Sequence, residues 1–300
     1  MKLPSVYIIE VTNRCNAKCV MCPNGRQLEF GDIDISLIQA IMPQISLSAK
    51  YIQLYFMGEP TLHPSLLEIV KTIRSKSKAI IELSTNLSVY ESFGQWYELL
   101  LSGIDKLLCC VDGVNINEYS ELRKGIDYSK VLSNIKLLSS IKNKYNINVE
   151  VIIKSISSIY NKSNYADIKT FWERYPGVIY RQTWMNTWAG SMPELYGIAG
   201  ELSPNYLKDR IPCAELWNKL LIRWNGDVVI CCHDWSSQYI IGNVKNNSIY
   251  DIWNSCGYND MRSMHMRGIY MGICSKCIEW STIQEYCVDY SLSINDINSF

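Results

Sequence analysis

Cysteine is the residue type whose spacing in this chain suggests chemistry. Cys15, Cys19 and Cys22 lie within eight residues of each other, directly after a short apolar run. Three thiolates can hold one iron–sulfur cluster and leave one iron open, because a closed cluster takes four protein ligands. An open metal position is where chemistry can occur. The alternatives are a zinc site, which would need a fourth ligand, and three buried thiols.

A second group of cysteines follows a stretch without cysteine between residues 110 and 213. This group consists of Cys213, Cys231 and a later Cys-x2-Cys pair, Cys274 and Cys277. We choose Cys231 rather than Cys232, because neighbouring residues of a strand point to opposite faces. Four thiolates can close either an iron–sulfur cluster or a zinc site. The sequence therefore predicts two separate metal centres.

The composition limits the classes of protein that this chain can be. Its 300 residues include 29 Lys and Arg and 29 Asp and Glu, so the formal net charge is zero. A neutral chain has no general attraction to nucleic acid or anionic lipid. No apolar run is long enough to span a bilayer, and the start of the chain lacks the pattern of a signal peptide. We expect a cytoplasmic protein with no nucleic-acid or membrane partner.

The elements that must position the thiols alternate between strand and helix patterns. Apolar, β-branched runs predict six buried strands: Val6–Val11, Tyr51–Phe56, Ala79–Leu83, Leu107–Val111, Ile147–Ile153 and Val178–Thr183. Segments with helical spacing lie between them, such as Leu66–Ile73, Trp96–Leu101, Val131–Ile141 and Ala166–Tyr175. This alternation indicates parallel βαβ units. We predict an α/β fold, a partial (β/α)6 barrel with its chemistry at the carboxyl ends of the strands.

The pattern changes after about residue 190, where glycine and proline become frequent. Asn225-Gly226 lies between two apolar runs, Leu220–Trp224 and Val228–Cys232, which predicts a β-hairpin. Ser248 precedes a short helical stretch as a cap. We therefore predict two domains: a barrel over residues 1–190, and a linker with a small α+β metal-binding domain over residues 191–300.

The thiol trio identifies a family. Cys-x3-Cys-x2-Cys after the first strand of an αβ barrel resembles the radical S-adenosylmethionine (SAM) enzymes. The resemblance implies a 4Fe-4S cluster on Cys15, Cys19 and Cys22, whose open iron binds the amino and carboxylate groups of SAM. The residue before the third cysteine is often aromatic in that family and packs on the adenine. Here it is Met21, which is apolar and polarizable and can also pack there.

Further segments match the family in order over the first 190 residues. Met57-Gly58-Glu59-Pro60 is similar to a Gly-Gly-Glu-Pro motif, and Cys110-Val111-Asp112-Gly113 is similar to a Ser-x-Asp-Gly motif with cysteine in place of serine. Ser84-Thr85-Asn86 resembles a segment near the SAM ribose, and Arg123 resembles an arginine that meets the SAM carboxylate. The resemblance thus implies a set of SAM-binding residues: Met57, Gly58, Glu59, Ser84, Asn86, Cys110, Asp112 and Arg123.

The C-terminal cysteines resemble the auxiliary-cluster domains called SPASM and its shorter form, twitch. The resemblance implies one fully ligated auxiliary 4Fe-4S cluster on Cys213, Cys231, Cys274 and Cys277. A full SPASM domain has more cysteines for a second cluster, whereas position 283 is Ile and only Cys287 follows. Zinc remains the alternative occupant of these four thiols.

The resemblance also implies a reaction: SAM is cleaved by the reduced cluster, and the resulting radical removes a hydrogen atom from carbon. A short chain with one auxiliary cluster resembles the family's 2-deoxy-scyllo-inosamine dehydrogenases and neomycin C epimerases. We therefore expect a small sugar or aminocyclitol-like substrate, oxidised or epimerised at a carbinol carbon, and an electron donor such as flavodoxin or ferredoxin. In epimerisation, Cys256 is the candidate catalytic hydrogen donor, with Cys110 and Cys287 as lesser candidates.

Other interpretations of the sequence remain open. Arg181, Trp184, Trp188 and Asp234 follow strand patterns and are candidates for substrate contacts or for an interface between the domains. A peptide-modifying radical SAM enzyme, for example a peptide epimerase, is the alternative enzyme. A zinc-binding interaction module is the alternative that is not an enzyme.

Overall fold

The structure is a computed structural model that describes residues 2–161, 165–200 and 210–280. Strands in these ranges form one sheet in the order β6-β5-β4-β3-β2-β1-β7-β8-β9. The strands are β1 Val6–Ile9, β2 Tyr51–Leu54, β3 Ile80–Thr85, β4 Lys106–Cys110, β5 Glu150–Ile156, β6 Val178–Thr183, β7 Lys219–Ile222, β8 Asp227–Val229 and β9 Ile240–Asn243. The strands β1 to β7 pair in parallel, and β8 and β9 pair antiparallel. The predicted α/β fold, a partial barrel followed by a small domain, is confirmed.

Helices connect the parallel strands and cover one face of the sheet. They are α1 Ile35–Ile45, α2 Leu66–Lys76, α3 Phe93–Leu101, α4 Ile116–Leu122, α5 Tyr128–Lys144 and α6 Tyr165–Glu173, followed by α7 Glu215–Asn218, α8 Ile249–Trp253 and α9 Cys256–Met266. Side-chain caps fix several helix starts: Ser92 forms a capping box with Gln95 at α3, and Ser248 accepts a hydrogen bond from the backbone N–H of Asp251 at α8. Such caps satisfy backbone donors that the first turn leaves unpaired.

The alternation of side chains along each strand separates a helix-facing core from the barrel interior. In β1, Tyr7 and Ile9 belong to the large core under the helices. Ile8 points the other way and packs with Leu221 and Val229 in a small apolar cluster inside the barrel. The interior surface is therefore formed by the alternate residues of each strand, and polar groups at the carboxyl ends of the strands meet at one edge.

The predicted hairpin extends the barrel sheet. β7 pairs with β1 in register from Val6 to Ile9, and Gly226 adopts a positive φ in the turn before β8. A buried ion pair strengthens this junction: Nε of Arg223 donates to Glu10 at 2.7 Å, with both side chains nearly inaccessible to solvent. The predicted domain boundary at residue 190 lies between β6 and β7, although the sheet itself is continuous.

None of the helices in the described part of the chain combines the length and the apolar character needed to cross a bilayer.

Candidate active site and metal centres

The first three cysteines lie in the loop that follows β1, at the carboxyl edge of the sheet. The loop is held by the chain after α4: the N–H of Lys18 donates to Lys124 O at 2.8 Å, and the N–H of Val20 donates to Leu122 O at 2.9 Å. All three thiols are half-buried and free of disulfides. Backbone pairing therefore fixes the loop in place while its sulfur atoms stay partly accessible.

The electrostatics of these thiols suit a metal group. Burial raises the pKa of Cys15 to about 12 and that of Cys22 to about 11, with negative charge on the neighbouring thiols adding to the shift. Burial likewise raises the pKa of Cys19, although Arg123 opposes the shift. Thiols of this kind stay protonated at neutral pH unless a cation binds, and a coordinating metal removes the proton. The three side chains thus form a donor set that needs positive charge.

In the described ranges, no three His, Cys, Asp or Glu side chains are placed to hold a single metal ion. A four-iron cluster binds each cysteine through a different iron atom, so its ligands lie further apart than those of zinc. The same holds for the four C-terminal cysteines, all of which are among the described residues.

The segment after β2 fits closely against the cysteine loop because residue 58 has no side chain. A Cβ at Gly58 would lie 2.2 Å from Thr12 O and 2.8 Å from Arg14 O. The N–H of Glu59 donates to Arg14 O at 2.8 Å, and the amide of Asn24 joins the carbonyls of Asn13 and Met57. Main-chain groups of Met57-Gly58-Glu59 therefore lie directly beside the cysteine loop.

Both carboxylate oxygens of Glu59 accept hydrogen bonds from the protein. It accepts hydrogen bonds from the hydroxyl of Thr85 at 2.8 Å, from the N–H of Asn86 at 2.6 Å, and from the N–H and hydroxyl of Thr61. Burial raises the pKa of Glu59, and these donors oppose the shift. The side chain thus ties the end of β2 to the end of β3, while the main chain of the segment lies beside the cysteine loop.

Two more predicted SAM-binding residues lie at the end of β3. The amide of Asn86 donates to Asn16 inside the cysteine loop at 3.0 Å, which links β3 to that loop. The hydroxyl of Ser84 lies 3.1 Å from the sulfur of Cys110, at the end of the neighbouring strand β4. The structure thus brings Ser84, Asn86 and Cys110 to the same edge as the thiol trio.

Asp112 and Arg123 form a buried pair beside the first cysteine group. Nε of Arg123 donates to Asp112 at 2.5 Å, and Nη1 of Arg123 lies 3.7 Å from the sulfur of Cys19. The second oxygen of Asp112 accepts from the N–H of Ile156 at 2.5 Å. Burial alone would lower the pKa of Arg123, but the negative groups of Asp112 and Cys19 raise it well above its ordinary value. A permanent cation therefore lies against the cysteine loop.

The four C-terminal cysteines meet in one cavity. Cys213 precedes α7, Cys231 follows β8, and Cys274 and Cys277 lie near the end of the described chain, yet all four line the same cavity, which is partly open to solvent. The four cysteines are half-buried, and burial raises the pKa of each thiol. Four thiols around a shared space can provide the ligands of one closed cluster.

Two histidines line the same cavity, and sequence analysis did not identify them. Nδ1 of His265 accepts a hydrogen bond from the N–H of Cys213 at 3.3 Å, and Nδ1 of His233 lies 2.9 Å from the amide of Asn186. Burial and the nearby charge of Arg210 lower the pKa of His265 to about 4, so its ring is neutral. The only signal in the sequence is the position of His233 two residues after Cys231.

Residues 186–188, directly after β6, contact both cysteine groups. The indole N–H of Trp188 donates to Met21 O in the first cysteine loop at 2.8 Å. The N–H and the hydroxyl of Thr187 both donate to Glu279 at 2.6 Å, and the other oxygen of Glu279 lies 3.4 Å from the sulfur of Cys277. This bridging segment therefore fixes the first cysteine loop relative to the auxiliary cavity.

The remaining predicted residues are more scattered. Cys256 is exposed at the first position of α9 and does not line the auxiliary cavity, which does not support its predicted role as hydrogen donor. Cys232 packs beside Phe56 and Ile8 inside the barrel, on the other side from Cys231. Cys287 and Ile283 lie outside the described residues.

The candidate substrate contacts also occupy different surroundings. Trp188 is half-buried against the small cluster around Met21, and Arg181 is exposed on β6. Trp184 is half-buried after the end of β6. The carboxylate of Asp234 accepts from the backbone N–H groups of Gln238 and Tyr239 and so stabilises its own loop. Of the four residues, Trp188 has a direct contact with the first cysteine loop.

Two family models match this chain in the places where the cysteine groups lie. Residues 9–156 match the radical SAM superfamily, and residues 213–278 match SPASM, an iron–sulfur cluster-binding domain. The chain therefore contains a radical SAM domain and a C-terminal SPASM domain. Its cofactors are SAM, the 4Fe-4S cluster that binds it, and an auxiliary cluster.

Three relatives match different shares of the chain. The tungsten-containing aldehyde ferredoxin oxidoreductase cofactor-modifying protein of Pyrococcus furiosus is 26% identical over 90% of this chain and 86% of its own length. The SAM-dependent 2-deoxy-scyllo-inosamine dehydrogenase of Niallia circulans is 22% identical over 97% of this chain and 99% of its own. A probable GTP 3′,8-cyclase of Methanococcus maripaludis is 26% identical but covers only 43% of this chain and 44% of its own.

Solved structures show the same fold at low sequence identity. BtrN in complex with AdoMet and 2-DOIA superposes with a TM-score of 0.61 at 20% identity, over 92% of this chain and 93% of BtrN. SuiB of Streptococcus suis bound to its precursor peptide SuiA gives a TM-score of 0.61 at 14% identity, over 88% of this chain and 67% of SuiB.

Proposed function

We propose that this chain is a radical SAM dehydrogenase that oxidises a carbinol carbon of a sugar or aminocyclitol-like small molecule. Loss of a hydrogen atom from that carbon leaves a radical, and loss of a proton from its hydroxyl and of one electron then gives a ketone. This reaction needs a one-electron acceptor near the radical source. The bridging segment 186–188, which contacts both cysteine groups, is the observation that most supports such an arrangement.

The bound groups supply the radical chemistry, and the chain positions them. When bound, the first cluster and SAM supply the 5′-deoxyadenosyl radical, and the auxiliary cluster supplies an electron acceptor. Main-chain groups around Gly58 and the guanidinium of Arg123 lie beside the first cysteine loop, where they can orient the amino and carboxylate ends of SAM. An external donor such as flavodoxin or ferredoxin would reduce the first cluster.

The extent of sequence similarity supports an alcohol substrate. The probable GTP 3′,8-cyclase matches only 43% of this chain, whereas the similarity to 2-deoxy-scyllo-inosamine dehydrogenase extends over 97% of this chain and 99% of that enzyme. A likeness that includes the auxiliary domain favours a reaction that uses that domain. We therefore propose oxidation as the reaction, and the experiment below distinguishes it from epimerisation.

Epimerisation would need a thiol that returns a hydrogen atom to the opposite face of the substrate radical. Cys256 is exposed on an outer helix, whereas Cys110 and Cys232 are both next to the barrel interior. If the reaction is an epimerisation, one of these two interior thiols is a better donor than Cys256.

A second candidate function is modification of a peptide or protein. The fold shared with peptide-bound SuiB is compatible with the same class of substrate.

The test is an anaerobic assay of the reduced, cluster-loaded protein with a panel of aminosugars, aminocyclitols and nucleotide sugars in D2O. We expect SAM cleavage together with a ketone product that has no deuterium at the oxidised carbon. Deuterium on that carbon, in an inverted alcohol, would indicate epimerisation instead. Consumption of a peptide with no alcohol consumed would contradict the proposal and favour the second candidate.

Two variants separate the steps. Cys15→Ala should abolish SAM cleavage, because it removes a ligand of the first cluster. Cys274→Ala should retain SAM cleavage and stop ketone formation, because it removes a ligand of the auxiliary cluster. Continued ketone formation by a Cys274→Ala protein without its auxiliary cluster would refute the proposed role of that cluster.

A further inference from the structure

Among the unpaired buried polar atoms of the residues that line the auxiliary cavity are one ring nitrogen of each of its two histidines and Nε of Arg210. Nε2 of His265 and Nε2 of His233 are buried and make no hydrogen bond within the described ranges. Both side chains line the cavity together with the four cysteines. Buried polar groups are nearly always hydrogen-bonded, so each unpaired atom requires an explanation.

The hydrogen bond at the other ring nitrogen determines where the proton of His265 lies. Nδ1 accepts from the backbone N–H of Cys213, so Nδ1 has a lone pair and no proton. The proton of the neutral ring is therefore on Nε2, since the bond at one imidazole nitrogen fixes the state of the other. The side chain is only 1% exposed to solvent. His265 thus presents a single buried donor to the cavity.

We propose that the Nε2–H of His265 donates a hydrogen bond to the auxiliary cluster, at a sulfide or at a cysteine sulfur, and raises the reduction potential of that cluster. Reduction adds negative charge to the sulfur atoms, so a donor stabilises the reduced state more than the oxidised state. This role depends on the auxiliary cluster and not on the proposed substrate. His265 is a positioning and tuning residue, because it acts through the cluster.

His233 has a similar arrangement on another wall of the cavity. The side-chain oxygen of Asn186 accepts from the N–H of Trp188 at 2.5 Å, so its NH2 group faces Nδ1 of His233. Nε2 of His233 is the ring nitrogen without a partner, as in His265. His233 also interacts with the thiol of Cys232, so a substitution there would disturb more than one contact. His265 therefore gives the cleaner test.

The experiment measures the potential of the auxiliary cluster alone. The first cluster is removed with Cys15→Ala, Cys19→Ala and Cys22→Ala in the full chain, and the remaining cluster is titrated with EPR detection. His265→Phe keeps a ring of similar size without the N–H. We expect a tenfold change in the one-electron reduction equilibrium, which moves the potential by about 59 mV to more negative values.

Two matched variants control this result. His265→Gln places an amide N–H near the position of Nε2 and should restore most of the wild-type potential. His63→Phe should leave the potential unchanged, because Nε2 of His63 bonds to Ile33 O at 3.0 Å and that side chain does not line the cavity. Equal potentials for the wild type and His265→Phe would overturn the proposal.

A second measurement keeps the proposal testable if His265→Phe fails to hold a cluster. Pulsed EPR of the reduced cluster in otherwise unsubstituted, 15N-histidine-labelled protein should show a weakly coupled nitrogen and a proton that exchanges in D2O. The His233→Phe protein should retain part of the nitrogen and proton signals. The retained part is then assigned to His265. A nitrogen coupling strong enough for direct ligation to iron, or no exchangeable proton in either protein, would refute the hydrogen bond.

Discussion

Substitution of Gly58 by alanine tests the packing on which the first cluster site depends. The added Cβ would lie 2.2 Å from Thr12 O and 2.7 Å from Thr12 C, whereas ordinary contacts of such an atom begin at about 3.4 Å. One backbone segment must therefore move by about 1 Å, because both neighbours are main-chain atoms that cannot rotate away. Overpacking of this kind costs about 1–3 kcal/mol of stability. A 1 Å displacement near reacting groups lowers activity by about 100-fold.

The assay compares Gly58→Ala with Gly25→Ala, since Gly25 lies just after the cysteine loop and its added Cβ would meet no atom within 4 Å. SAM cleavage by the reduced protein, iron content and thermal unfolding are measured for both. We expect Gly25→Ala to behave as wild type and Gly58→Ala to lose about 100-fold in SAM cleavage. Cleavage within a few-fold of the control would show that the close approach of Gly58 does not position the site.

Three further predictions concern other parts of the molecule. Cys213→Ala should lower bound iron by about half, from two four-iron clusters to one, whereas Cys232→Ala should leave iron content unchanged; equal losses would contradict the assignment of ligands. Arg223→Met leaves Glu10 buried without its counter-charge and should cost about 3–5 kcal/mol in urea unfolding at pH 7. Because burial raises the pKa of Glu10 in the folded protein, the defect should shrink as the pH falls, and a defect that grows would refute this reasoning. Arg123→Lys should raise the KM for SAM about tenfold with cluster content unchanged, and an unchanged KM would place the SAM carboxylate elsewhere.

The parallel strands were predictable because their runs are continuously apolar, as expected for strands buried on both faces. The six predicted strands all form, and the Asn225-Gly226 hairpin forms between β7 and β8. Helix α1 was not identified, and Pro43 lies inside it. The pairing of β7 with β1 could not be predicted from the sequence either. It joins segments more than 200 residues apart, and no local pattern specifies such a partner.

The meeting of the four C-terminal cysteines around one cavity was predictable, because closely spaced cysteines are typical of metal sites. The roles of neighbouring side chains were harder to predict. Glu59 has the expected position, but its carboxylate accepts hydrogen bonds from Thr61, Thr85 and the N–H of Asn86. These contacts depend on how the ends of β2 and β3 pack, which the sequence alone does not specify. His265 lies 52 residues after Cys213 in the chain, and its place beside that cysteine arises only from the packing of α9.

The continuous sheet has a consequence for how this molecule can be divided. β1 precedes the first cysteine loop and also holds the hairpin of the SPASM domain, with the Glu10–Arg223 pair buried between them. A chain truncated after β6 would expose one whole edge of β1 and an uncompensated carboxylate. Open strand edges of this kind pair with other chains. The radical-generating half therefore relies on the hairpin to cover its edge strand, and its activity is best studied in the intact polypeptide.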